Sequence, residues 1–127
     1  MIIQINSVHS SDSGLVVNFT SPIGSASAVW VGAIPKERES HDVEINFEED
    51  FIWGKNIWGA AAAPSIKPLF DCGASITAEL LHYDSDGCAA IKLGGLVTLI
   101  EVSGIPKDLP KSIKLEANLV KIYPTNI

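Results

Sequence analysis

Apolar residues recur at every second position through much of the chain. Leu15, Val17 and Phe19 alternate with Val16, Asn18 and Thr20, and Val43, Ile45 and Phe47 alternate with Glu44, Asn46 and Glu48. A period of two puts successive side chains on opposite faces of a pleated strand, so these segments predict strands with one dry and one wet face. Ala26 to Ile34 holds Val29, Trp30 and Val31 in a row, the pattern of a strand covered on both faces. Clusters such as Ser21-Pro22-Ile23-Gly24-Ser25 separate the runs and supply turns.

From Ile76 to Tyr83 the pattern fits both periods: Ile76, Leu80 and Tyr83 share a helix face, while Ile76, Ala78, Leu80 and His82 share a strand face. The space between Gly73 and the Asp84-Ser85-Asp86-Gly87 turn is short for a helix, and Asp-Gly between apolar runs is a strong hairpin signal. A strand is therefore predicted, with Cys88 to Leu93 as its partner. Gly94-Gly95 then turns the chain into Leu96 to Val102, completing a three-stranded meander.

In Ser112 to Tyr123 the apolar phase flips near Asn118, from Ile113, Leu115 and Ala117 to Val120 and Ile122. This predicts a strand with a bulge or bend, with a helix presenting Leu115, Leu119 and Ile122 as the competing pattern. Lys55 to Asp71 includes four alanines ended by Pro64 and predicts a long loop with at most one helical turn.

No repeat of solenoid or propeller period is present. The expectation is one all-β domain over residues 1–127, an antiparallel β-sandwich or half-open β-barrel of about seven to ten strands. With 46% of its 127 residues apolar, the chain can bury a core.

The charge changes the picture more. Fifteen Asp and Glu against nine Lys and Arg give −6, which argues against nucleic acid and anionic membrane as direct partners, because phosphate binding needs a cationic face. The opening Met1-Ile2-Ile3-Gln4-Ile5-Asn6 lacks the basic start of a secretory signal, and no apolar run approaches the length of a membrane span. Cys72 and Cys88 are too few for a disulfide framework. The expectation is a cytoplasmic protein with two reduced thiols.

The acids are concentrated. Between Lys36 and Asp50 stand Glu37, Glu39, Asp42, Glu44, Glu48, Glu49 and Asp50, opposed only by Lys36 and Arg38, so this stretch carries −5 of the −6. Trp53 and Trp58 follow, beside Phe51. Clustered carboxylates steer a basic partner, and tryptophans anchor interfaces. These seven acids with Trp53 and Trp58 are thus the candidate partner-binding residues. The competing explanation is a solvated strand face with Phe51 and Trp53 in the core. On the interface view, reversing Glu48, Glu49 and Asp50 to Lys leaves the fold intact. The lysines at 107, 111, 114 and 121 offer an internal counterweight.

Candidate chemistry is sparse. Asp84-Ser85-Asp86-Gly87 resembles the opening of a calcium loop but lacks its later ligands. His9, His41 and His82 are scattered, and no paired Cys or His spacing, phosphate loop, dinucleotide fingerprint or nucleophile elbow occurs. The expectation is a protein without catalytic residues, metal or cofactor.

Three blocks carry a family likeness: Val43-Glu44-Ile45-Asn46-Phe47 with Trp53, then Leu81-His82-Tyr83-Asp84-Ser85-Asp86-Gly87 with Ile91-Lys92-Leu93-Gly94, then Leu119-Val120-Lys121-Ile122-Tyr123-Pro124. In rhythm and composition they resemble small bacterial immunity proteins of polymorphic toxin systems, such as contact-dependent growth inhibition. The resemblance implies a cytoplasmic antitoxin that binds and occludes one cognate basic toxin domain, many such toxins being nucleases. The alternative is a small ligand- or peptide-binding β-barrel module. The sequence leaves the oligomeric state open.

Overall fold

The computed structural model describes residues 1–125. Twelve strands follow in chain order: β1 (Ile2–Ser11), β2 (Gly14–Ser21), β3 (Gly24–Trp30), β4 (Ser40–Phe47), β5 (Asp50–Ile52), β6 (Ile57–Ala60), β7 (Ser65–Pro68), β8 (Ala74–Tyr83), β9 (Cys88–Leu93), β10 (Leu96–Ser103), β11 (Ser112–Ala117) and β12 (Val120–Pro124). The all-β expectation holds, and no helix among the described residues is long and apolar enough to cross a membrane.

β12 pairs antiparallel with β4 and parallel with β3, which closes β12-β4-β1-β2-β3 into a five-stranded barrel. In β1 the register with β2 slips between Ile5 and Ser7. The extra residue moves the inward phase from Ile3 and Ile5 to Val8, and such a bulge adds the coiling that a small barrel needs. So narrow a ring has room only for side chains: Ile3, Ile5, Val17, Phe19, Ala28, Val43, Ile45 and Ile122 are buried. β3 is covered on both faces as its sequence predicts. Ala28 and Trp30 join the main core, whereas Val29 packs outside with Val16 and Cys72.

From β3 the sheet continues through β7, β8, β9, β10 and β5, with β11 on β8 and β6 on β11. The junction is one parallel bridge, Gly24 to Ile66. Gly24 has φ 138°, and a Cβ there would lie 2.0 Å from the Ile66 carbonyl oxygen, so only glycine lets the two backbones meet. A second tie comes from Thr98 on β10, whose Oγ1 donates to the Ile45 carbonyl of β4 at 3.0 Å. The barrel and the outer strands share one apolar core.

The β8–β9–β10 meander forms as predicted, with a bulge at Leu81. The phase flip at Asn118 turns out to be a crossing from the outer strands to the barrel: β11 pairs with β6 and β8, whereas β12 belongs to the barrel. Two expectations are corrected. Among the described residues the strands number twelve, beyond the predicted range, and part of them forms a closed ring. Residues 55–71 contain β6 and β7 where a loop was expected. Each of these strands buries a single isoleucine, Ile57 or Ile66, and four residues are too few to display an alternation.

Candidate functional site

β4 brings the acids to the surface by its pleat. Val43, Ile45 and Phe47 point into the barrel, so Asp42, Glu44 and, just past the strand, Glu48 point out. All seven carboxylates of the segment are exposed or half-exposed, yet they serve two different purposes.

Four of them are tied into the fold. Glu39 Oε1 accepts the Lys36 N–H at 2.6 Å and lies 3.3 Å from His41 Nε2. These contacts, led by the Lys36 hydrogen bond, hold its carboxyl below the ordinary range. Asp42 Oδ1 accepts from the Met1 ammonium at 2.9 Å, and this bond lowers the Asp42 carboxyl in the same sense. Glu48 meets Lys121 Nζ at 2.9 Å on neighbouring β12, raising that lysine's affinity for its proton. One of the C-terminal lysines thus does counterweigh the acidic run. Glu49 Oε1 accepts the N–H groups of Asn118 at 2.7 Å and Leu119 at 3.4 Å. Triple reversal of Glu48, Glu49 and Asp50 would therefore also remove the Glu48–Lys121 ion pair and the Glu49 hydrogen bonds.

Glu37, Glu44 and Asp50 have no side-chain hydrogen bond or ion pair among the described residues. Asp50 on β5 stands opposite Glu101 on parallel β10. Adjacent like charges are unfavourable. With Asp86 of the β8–β9 turn, the two acids line an open recess of about 520 Å³ that also takes in Tyr83 and Ile52. Glu44 borders a second recess of about 470 Å³, with Asn46, Thr98, Leu99 and Tyr123. Neither recess has a lysine or arginine in its lining.

β5 is an edge strand, and its free side is capped. Asn56 Oδ1 accepts the Ile52 N–H at 2.7 Å and Asn56 Nδ2 donates to the Asp50 carbonyl at 3.2 Å, as a neighbouring strand would.

The aromatic candidates are partly built into the core, Phe51 also lining the Asp50 recess. Phe51 is buried and meets Phe47 edge-on at 6.0 Å, so it belongs to the core. Trp53 is half-buried and packs against that core, with its backbone N–H bonded to the Ser103 carbonyl at 2.9 Å. Trp58 is half-buried on β6, in register with Lys114 of β11.

Exposed apolar residues outside the candidate set include Ile2, Ile34, Phe70, Leu81, Val97 and Leu99. For Val97 and Leu99 the signal lies in β10, where Leu96, Val97, Leu99, Ile100 and Val102 make both faces apolar. Only one of those faces is covered, because Leu96, Ile100 and Val102 are buried while Val97 and Leu99 are exposed. Phe70, 89% exposed, tips the turn between β7 and β8.

Asp84-Ser85-Asp86-Gly87 forms the β8–β9 hairpin turn: the Asp84 N–H bonds to the Cys88 carbonyl at 2.8 Å and the Gly87 N–H to the Asp84 carbonyl at 3.0 Å. Both cysteines are free thiols. Burial, and then the charge of Asp71, raises the Cys72 thiol above its ordinary range. Comparison with protein-family models, curated proteins and solved structures finds no match to this chain.

Proposed function

We propose that this chain is a non-enzymatic immunity protein that binds and occludes a cognate basic toxin domain, a nuclease being the toxin class whose cationic groove best complements it. The observation that carries the reading is the disposition of the acidic segment. Its seven carboxylates all reach solvent, and Glu37, Glu44 and Asp50 have no counter-charge within the described chain. Unpaired like charge held at a surface costs self-repulsion, which a cationic partner relieves while its approach is accelerated. The alternative of a small-ligand barrel has less support, because the barrel axis is filled by residues such as Ile5, Phe19, Val43 and Ile122. The cytoplasm is the compartment that this role requires.

The test is co-expression. The product of the gene adjacent to this one is made with and without the chain, and growth and complex formation are followed. Restored growth together with a stoichiometric complex supports the reading. A neighbour that is neither toxic nor retained by the chain overturns it.

A further inference from the structure

The outer face of the meander combines features that neither its sequence nor the acidic run displays alone. On β10, Val97, Leu99 and Glu101 share the outward phase, exposed by 53% and 62% in the case of Val97 and Leu99. Leu99 is in register with Ala90 of β9, and Ala90 with His82 of β8. The bulge leaves Leu81 46% exposed beside them. Given strand spacings of about 4.8 Å and about 6.7 Å between alternate residues, Leu81, Val97 and Leu99 fall within a patch roughly 10 Å across.

The patch has acid at both ends. Leu99 itself lines the recess that holds Glu44 and Tyr123. Glu101, one strand period further along β10, lines the recess that holds Asp50 and Asp86. Lys92, opposite Val97 on β9, is the one cation among the residues in register on this face, and it also faces Glu79.

We infer that this face, centred on Leu99 and flanked by the two acidic recesses, is the docking surface for a basic protein. Leu99 and Val97 act as its apolar anchors, and the recesses take lysine or arginine side chains of the partner. The occupant follows from charge. Exposed aliphatic side chains with carboxylates at both ends disfavour an acidic surface and match one in which cationic side chains flank an apolar spot. The inference rests on the basic-partner reading and deepens it. It moves the interface away from Glu39, Asp42, Glu48 and Glu49, which the fold uses, and from Trp53 and Trp58, toward Glu44, Asp50, Glu101 and Leu99.

The test titrates isotope-labelled chain with a synthetic peptide of alternating Lys-Arg and Leu-Leu pairs, read by amide chemical shifts. The same peptide with Glu-Asp pairs is the control. Shifts confined to β8–β10, Glu44, Asp50 and Tyr123 are expected with the basic peptide only. Leu99→Asp should weaken binding about tenfold, as loss of a central anchor does. Glu101→Lys should weaken it about fivefold and flatten its salt dependence. Phe70→Ser, a change at a still more exposed apolar residue outside this face, should leave affinity unchanged. If Leu99→Asp does not fold, Glu101→Lys and Asp50→Lys carry the test. Shifts elsewhere on the surface overturn this face and leave the basic-partner reading standing. No shift with the basic peptide, or equal shifts with the acidic one, overturns both.

Discussion

The Glu49 carboxylate accepts the backbone N–H of Asn118 at 2.7 Å, across 69 residues of sequence. Both residues stand where the chain crosses between the barrel and the outer strands. Glu49 lies between β4 of the barrel and β5 of the outer sheet, and Asn118 between β11 of the outer sheet and β12 of the barrel. Val120 pairs with Phe47, so the two crossings are neighbours. One side chain thereby fastens the chain's exit from the barrel to its return.

Removing that fastening should be felt. Glu49→Ala leaves the Asn118 and Leu119 N–H groups without their acceptor and should cost about 1 kcal/mol, since the bond is charge-assisted but solvent-accessible. Glu49→Gln keeps an acceptor and should cost less. Glu44→Lys and Asp50→Lys should stay within about 0.5 kcal/mol of the parent. Urea unfolding of the four variants checks the order.

Gly24→Ala should be far more damaging. The new methyl group would sit 2.0 Å from the Ile66 carbonyl, at a φ that L-residues avoid, so the bridge between the barrel and the outer sheet must open. A loss of about 3 kcal/mol is expected, measurable as a lowered thermal midpoint, with hydrogen exchange rising first at Ile66 and Ile23.

Trp53→Ala should lower stability and not partner affinity. The side chain packs against the core beside Gly59 and Gly104. Because it is only half-buried, a cost of about 2–3 kcal/mol is expected, short of the value for a fully buried tryptophan. A large affinity loss at unchanged stability would reassign Trp53 to the interface.

The two thiols should differ in reactivity. Cys72 is buried and its thiol is held protonated by burial and by Asp71, whereas Cys88 is half-exposed on β9. The thiolate is the reactive form. Alkylation near neutral pH should therefore label Cys88 first and Cys72 only slowly, with mass spectrometry of the digest reading the order. Denaturant should abolish the difference.

Glu39 sets a small acid-side dependence. Its carboxyl titrates below the ordinary 4.5 because it accepts the Lys36 N–H and neighbours His41. A depressed folded-state value means that the turn's stabilisation is present above the unfolded value and is lost as pH falls through the lowered one. Carboxyl chemical shifts followed against pH should place the Glu39 midpoint below 4.5. In Glu39→Gln the Lys36 amide should lose its pH response.

Much of this architecture was legible in the chain because burial on one face writes a period of two. β2, β4 and the meander follow from that period, and even the phase flip at Asn118 marks a real break. Ring closure was not legible. The pairing of β12 with β3 joins Val29 to Lys121, and no local pattern encodes so distant a contact. β5, β6 and β7 escaped because strands of three or four residues bury one apolar side chain each. The acids were found as a run, but their separate uses depend on partners far away in sequence, Lys121 for Glu48 and Asn118 for Glu49.

The amide of Asn56 completes the outer side of β5 as a strand would. A partner arriving at Asp50 therefore finds the Ile52 N–H and the Asp50 carbonyl already occupied and cannot add a strand there. It must recognise side chains. Recognition of that kind is stored in replaceable surface positions on an unchanging backbone, so a new partner can be gained by a few point substitutions while the barrel beneath stays as it is.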